Sequence, residues 1–170
     1  MQQMNKQKNI ILDNTQIQHK IHRIAYQIYE SNSNEKEIVL AGISKNGFIL
    51  AQSIAESLAS ISPLRIIMCE VFIDKKKPLK PISTSIPSED YIHKSLVLVD
   101  DVLNSGATLI YGVKHFLEVP LKRFKTAVLV NRNHKKYPVK ADFKGLSLST
   151  TLQEQVIVEF SKNKSVAYLL

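Results

Sequence analysis

Leu96-Val97-Leu98-Val99-Asp100-Asp101-Val102-Leu103-Asn104-Ser105-Gly106-Ala107-Thr108 is the stretch that decides the reading of this chain. Its first four residues form an unbroken apolar run, the mark of a strand covered on both faces in a parallel sheet. Two adjacent carboxylates follow, and a turn carrying a hydroxyl, a glycine and a second hydroxyl leads into the helical pattern of Leu109 to Leu117. Backbone N–H groups at such a helix start, exposed by the glycine turn and helped by Ser105 and Thr108, form a cradle in which the helix dipole favours a phosphate. Carboxylates beside the cradle can accept hydrogen bonds from vicinal sugar hydroxyls and stabilise positive charge developing on the ring. An ordinary strand followed by a capped helix explains the apolar run, but gives no reason to set Asp100 against Asp101, where like charges repel.

Outward from this stretch, strands alternate with helices. Ile17, Ile21, Ile24, Ala25 and Ile28 recur at helical spacing between Thr15 and Tyr29, with Asp13 or Asn14 as N-cap. Ile38 to Ala41 is a short apolar strand broken by Gly42, and a helical pattern runs from Phe48 to about Ser60. Leu64 to Ile73 is a second strand, rich in β-branched residues. Asp74 to Asp90 carries three prolines, several lysines and serines and no periodicity, which predicts a long mobile loop. Ala127 to Val130 repeats the buried-strand signature, and Val156 to Phe160 and Val166 to Leu169 are further strands. The pattern predicts an α/β fold with a mainly parallel twisted sheet flanked by helices, and ligands at the carboxyl ends of its strands. With no internal repeat or linker, residues 1–170 are expected to form one domain.

Bulk composition narrows the function classes. At 170 residues and 44% hydrophobic, the chain can bury a core without staples. Cys69, the single cysteine, lies in an apolar run and is expected to be a buried structural thiol in a reducing compartment. Met1 to Asn9 is polar, and nowhere do eighteen apolar residues run together, so a cytoplasmic protein with no membrane span is expected. The net charge of +8 favours polyanionic partners, whether nucleic acid, nucleotide or phosphorylated small molecule. Much of the excess sits in Lys75 to Lys80 and Lys135 to Lys140, both expected to be solvated loops. His19 and His22 lie three apart on the first helix with no cysteine or carboxylate to complete a metal site, and are expected at the surface.

The segment Leu96 to Thr108 resembles the phosphoribosyl pyrophosphate motif of the type I phosphoribosyltransferases, in which apolar residues precede two acidic ones and a Thr/Ser-Gly-x-Thr loop. The likeness extends over roughly Asp13 to Phe160. Leu40 to Gly47 takes the place of the family's pyrophosphate loop, and Asp74 to Asp90 that of a mobile loop that closes over the reaction. Within the family the likeness is strongest to the branch that combines regulation of pyrimidine operons with uracil phosphoribosyltransferase activity. His22 to Ile28, Asp100 to Leu103, Val128 to His134 and Tyr137 to Phe143 carry it, and the last run is also similar to hypoxanthine-guanine phosphoribosyltransferases.

The resemblance implies the family fold, with a small hood from the terminal segments, and transfer of ribose 5-phosphate from phosphoribosyl pyrophosphate to a nucleobase, uracil first and hypoxanthine or guanine as the alternative. It implies Asp100 and Asp101 as the catalytic pair on the ribose hydroxyls. Asn104, Ser105, Gly106, Ala107 and Thr108 would hold the 5-phosphate, and Gly42, Ile43, Ser44 and Lys45 the pyrophosphate. Asn131 and Leu152 would contact the base, a packed core role for Leu152 being the competing expectation. Mg2+ would arrive with the substrate and need no dedicated protein ligands. A homodimer is implied as well. A rival implication is a nucleotide-sensing RNA-binding regulator, with Arg23, His134, Lys135 and Lys140 on its basic face. The chain departs from the pattern in three places: Lys45-Asn46-Gly47 replaces Thr-Arg-Gly, Ile73-Asp74-Lys75-Lys76 replaces Arg-Asp-Asp-Leu, and Ala107 replaces an arginine.

Overall fold

A computed structural model describes residues 7–170. Most of the polar N-terminal stretch, residues 1–6, thus lies outside the described residues. Nine strands and three α-helices follow in the order β1(Asn9–Leu12), α1(Asn14–Ser31), β2(Glu37–Ile43), α2(Asn46–Ile61), β3(Arg65–Phe72), β4(Ser83–Thr84), β5(Ser95–Leu103), α3(Ala107–Phe116), β6(Arg123–Arg132), β7(Phe143–Leu148), β8(Val156–Glu159) and β9(Val166–Leu169).

The main sheet has six strands in the order β4-β3-β2-β5-β6-β7, parallel throughout except for β4, which runs antiparallel on β3. Its central strand β5 is buried at all nine positions, as its apolar run predicts. Core side chains sort to two faces. Val97, Val99, Ala127 and Leu129 pack with Ile17, Ile21, Ile24, Leu50 and Ile54 of α1 and α2; Leu96, Leu98 and Val128 pack on the other face with Leu109 and Phe116 of α3. Alternation along each strand thus feeds two helical layers. The expected hood is the second sheet, β1-β9-β8, which joins the chain's N- and C-terminal segments.

Helix α1 is capped by Asp13, whose carboxylate accepts from Gln16 N while the Gln16 side chain accepts from Asp13 N. That reciprocal arrangement satisfies two groups a bare helix start would leave exposed. His19 and His22 are exposed, as expected. Cys69 is fully buried, and burial pushes its thiol up to about 11, a structural thiol rather than a nucleophile.

Three sequence expectations need correction. The strand β2 is not broken by Gly42 but runs through it, Gly42 pairing with Glu70 on one side and Val99 on the other. Hydrogen bonding between two parallel neighbours outweighs the weak strand preference of glycine. Second, residues 74–90 hold more structure than their composition suggests. Ser85 N donates to Glu70 O, Ser85 Oγ accepts from Glu70 N, and a short 3-10 turn spans Ser88–Asp90. Third, Lys75 and Lys80 are not merely solvated, since each is paired with an aspartate. Strands β1 and β7 were not anticipated: the first has four residues, and the second carries Gly145 at its centre.

Candidate active site

The acidic pair lies within β5 rather than at its end, with Asp100 3% and Asp101 8% exposed. Strict alternation would send the two carboxylates to opposite faces of the sheet. It slips here. Leu98 and Leu103 enter the α3 core while Val99 and Val102 enter the α1–α2 core, so the phase shifts by one residue across the pair. Each carboxylate takes the next backbone amide: Asp101 N donates to Asp100 Oδ1 and Val102 N to Asp101 Oδ1, both at 2.9 Å. The outcome is that Lys75 Nζ reaches both, at 3.1 Å from Asp100 Oδ1 and 3.8 Å from Asp101 Oδ1. Asn46 Nδ2 donates to Asp101 Oδ2 and to Val158 O, at 2.9 Å each. Gly47 presses against the same strand, where a Cβ would stand 2.6 Å from Val99 O and 2.9 Å from Asp100 Cα. Only glycine permits that approach of α2 to the acidic pair.

Burial pushes the Asp100 carboxyl up to about 7; Lys75 draws it down, and Asp101 beside it pushes it further up. The Lys75 ammonium is destabilised by desolvation, but the two carboxylates more than offset this, so its pKa is raised.

Immediately after β5 the chain turns into α3 through Gly106, which stands at φ 89°, the left-handed region that favours glycine. The helix begins with no acidic residue in its first turn, so its N-terminal dipole is not neutralised from within. Ser105 Oγ accepts from Ala107 N at 3.2 Å, and Ser105 O accepts from Lys136 N and Tyr137 N, which fixes the turn to the loop after β6. A cleft of about 260 Å³ joins these parts, lined by residues 103–108, by Asp101, Asn46 and Lys75, and by Val156 to Val158 of the hood.

The expected residues are not equally placed. All five candidates for the 5-phosphate line this cleft together with Asp101. Of the pyrophosphate candidates, Gly42 and Ile43 are buried in β2, Ser44 is half-buried, and Lys45 is exposed at the start of α2. Asn131 is buried at the end of β6; its amide donates to Ser147 Oγ at 3.3 Å, and its Oδ1 has no hydrogen-bond partner. Leu152 is 86% exposed, which overturns the core role held out for it, because it lies in the 149–154 segment, which belongs to no strand and leaves its side chain to solvent. It does not line the cleft, where Val156 and Val158 stand instead.

The basic candidates are dispersed and partly spent. Arg23 donates to Lys144 O at 2.9 Å and Gly145 O at 2.6 Å, and the His134 ring meets Thr150 O. Lys135 is exposed, and Lys140 is 81% exposed with Asp142 Oδ1 at 3.9 Å.

Three residues that the sequence reading did not assign to the site touch its parts: Asn46, Lys75 and Arg132. Arg132 is 8% exposed and donates to Asn104 Oδ1, Thr150 Oγ1 and Thr151 O, so it ties the phosphate turn to the 149–151 segment. An arginine closing a buried apolar strand was the available signal. Lys75 lay in a basic run, marked only as part of the Ile73 to Lys76 departure from the family pattern.

Residues 7–161 match the model of the phosphoribosyl transferase domain. The chain belongs to the phosphoribosyltransferase family. Relatives include the bifunctional protein PyrR of Streptococcus gordonii, 33% identical over 89% of this chain and 90% of that protein, and the bifunctional protein PyrR of Bacillus pumilus, 32% identical over 92% and 93%. Among solved structures, a hypoxanthine-guanine phosphoribosyltransferase from Bacillus anthracis superposes with a TM-score of 0.74, at 20% identity over 96% of this chain and 99% of that one. The hypoxanthine phosphoribosyltransferase of Trypanosoma cruzi gives 0.75 at 16% identity, over 94% and 95%. At that identity the structural likeness establishes the phosphoribosyltransferase fold and no base preference. Among the described residues of this phosphoribosyltransferase, no group of three or more His, Cys, Asp or Glu side chains lies together, and no helix is long and apolar enough to cross a membrane.

Proposed function

We propose that this phosphoribosyltransferase binds phosphoribosyl pyrophosphate in the cleft between β5, α3 and the hood and transfers its ribose 5-phosphate to a ring nitrogen of a nucleobase, uracil first. The observation that carries this reading is the buried acidic pair of β5, whose second member Asp101 lines one cleft with the Gly106 turn and the start of α3 that follow it. The 5-phosphate sits on the amides of residues 104–108, where unneutralised helix polarity favours an anion. From there the ribose lies over β5, and Asp100 and Asp101 accept hydrogen bonds from its two ring hydroxyls. Ser44 and Lys45 stand at the loop that receives the pyrophosphate.

The base nitrogen donates its lone pair to C1, and the C1–oxygen bond breaks with its electrons leaving on pyrophosphate. The nitrogen then sheds its proton. Positive charge that builds on the sugar in between is stabilised by the two carboxylates, which are oriented in advance by the Asp101 and Val102 amides. Mg2+ would arrive with the donor, whose oxygens and bound waters would supply its coordination, and the ion would supply charge neutralisation on the leaving group. Asn131 has an unused acceptor at a strand end, which suits recognition of a base N–H. A homodimer, built from single-domain chains in the cytoplasm, fits the family pattern.

Pyrophosphate release from magnesium phosphoribosyl pyrophosphate, with uracil, hypoxanthine, guanine and adenine offered separately, tests the proposal. Turnover with uracil that Asp101→Asn abolishes supports it. Turnover with a purine alone would reassign the base, and silence with every base would end the reading. A second reading, RNA-binding regulation, draws on the likeness to proteins named bifunctional and on the net charge of +8. It stands second because Arg23 and His134 are already engaged within the chain. Sequence-preferring RNA binding with a steep salt dependence is the result that would raise it.

A further inference from the structure

The two loops that depart from the family pattern meet on the acidic pair. Asn46 comes from the start of α2 and Lys75 from the loop after β3, yet both side chains contact the β5 carboxylates. On sequence alone each departure reads as the loss of a substrate contact. In the fold each residue makes an internal contact.

Lys75 is carried on a turn whose shape does not depend on it. The Asp74 carboxylate accepts from Lys76 N at 3.0 Å, Lys77 N at 3.1 Å and Lys80 Nζ at 2.8 Å, and these bonds hold the turn whether or not Lys75 is engaged. The ammonium lies 3.1 Å from Asp100 Oδ1 and 3.4 Å from Asp100 Oδ2. The partners differ in their access to water: the Lys75 side chain is 42% exposed, that of Asp100 4%. A lysine can swing its charge into solvent at little cost, whereas the buried Asp100 carboxylate, left with the Asp101 amide but no cation, loses most of its compensation. The contact therefore exchanges readily with a molecule that brings its own donors, and resists opening without one. Asn46 completes the closure by bonding Asp101 and the hood carbonyl of Val158 together. Both side chains line the same cleft as the phosphate turn.

We propose that Lys75 is an internal occupant of the ribose-hydroxyl subsite, a latch on Asp100 and Asp101 that the phosphoribosyl donor must displace in order to bind. The proposal rests on the reading of that acidic pair as the ribose-binding group. It makes the long loop and the ribose alternative ligands of the same two carboxylates, so the donor's apparent affinity is reduced by the fraction of molecules that are latched. Lys75 is thus a positioning residue that sets how tightly the donor binds and takes no part in the bond exchange.

Isothermal titration of the full chain with magnesium phosphoribosyl pyrophosphate is the test, comparing the wild type with Lys75→Met, Lys75→Gln and Lys75→Arg. Removing the charge is expected to tighten donor binding about two- to five-fold, the scale of a partly exposed ion pair. In steady-state kinetics KM for the donor falls in proportion while kcat does not. Lys75→Arg, which keeps a cation in place, retains the wild-type affinity. Lys75→Gln keeps the test standing should Lys75→Met fold poorly. Equal or weaker donor binding by the charge-removing variants overturns the latch and leaves the enzymatic reading intact. Failure of both wild type and variants to bind the donor overturns the latch together with the ribose site on which it rests.

Discussion

The two ends of the cleft are built from different materials. At the α3 end the turn proposed to hold the phosphate is set by its backbone: Gly106 fixes its shape, residues 104–108 line the cleft, and Arg132 anchors it through Asn104. At the opposite end, side chains do the work, and those of Asn46 and Lys75 are turned onto the acidic pair. A site made of main-chain amides depends on conformation and tolerates changes of side chain, which is why Ala107 can stand where an arginine is common. A site made of side chains changes its partners whenever the residues change.

The largest expected effect falls on the backbone-built end. Gly106→Ala places a Cβ 2.7 Å from Val139 Cγ1 at a positive φ, so it should lower kcat/KM for the donor by about 100-fold and cost about 1–3 kcal/mol of stability. Steady-state kinetics and urea unfolding check both. Normal kinetics in that variant would break the contrast, because the turn would then not depend on its glycine.

Next in size is Arg132→Gln, which leaves Asn104 and the 149–151 segment without their shared donor. It is expected to raise KM for the donor about tenfold and cost about 1–3 kcal/mol, the scale of buried hydrogen bonds lost from a charged group. If KM for the base rises as well, the clamp couples the two subsites; if neither changes, it is a packing residue only.

The acidic pair between the two ends gives a smaller effect, one with a definite sign in pH. The Asp100 carboxyl is raised to about 7 by burial, so the folded state binds its proton more tightly than the unfolded chain does. The associated stability is fully present below the ordinary carboxylate range and is lost as pH rises through about 7. Asp100→Asn should therefore raise the melting temperature by about 2–4 °C at pH 8 and leave it unchanged near pH 3, while weakening the donor. In the wild type, kcat/KM for the donor should rise with pH through about 7, because the carboxylate rather than the acid accepts the ribose hydroxyls. A flat profile from pH 5 to 9 would remove Asp100 from that role.

The smallest effect is expected at Ala107. Ala107→Ser should change donor KM by less than about twofold, since a small substitution at a half-buried helix start that preserves the amide disturbs little. A large change there would show that the turn reads side chains after all, and the distinction between the two ends would fail.

By itself the sequence determined the parts that rest on local pattern: the buried run of β5, the helical spacing of α1, the Asp13 cap and the glycine turn after the acidic pair all follow from periodicity and residue chemistry in one window. Strands with little pattern of their own, β1 and β7, were settled by pairing partners far along the chain, Asn9 with Leu169 and Ala127 with Phe143. Arg132 could be seen in the sequence, but not its three bonds. Whether Asp100 and Asp101 point to one side or to two is a matter of strand phase, and only the packing of Val102 and Leu103 into opposite cores fixes it. The contact of Lys75 with a carboxylate 25 residues away depends on β3 and β5 flanking β2 in the sheet and on a loop that folds back over their ends. Local chemistry names the groups a site contains; which of them touch is decided by topology, because a side chain can contact only what the fold brings within its reach.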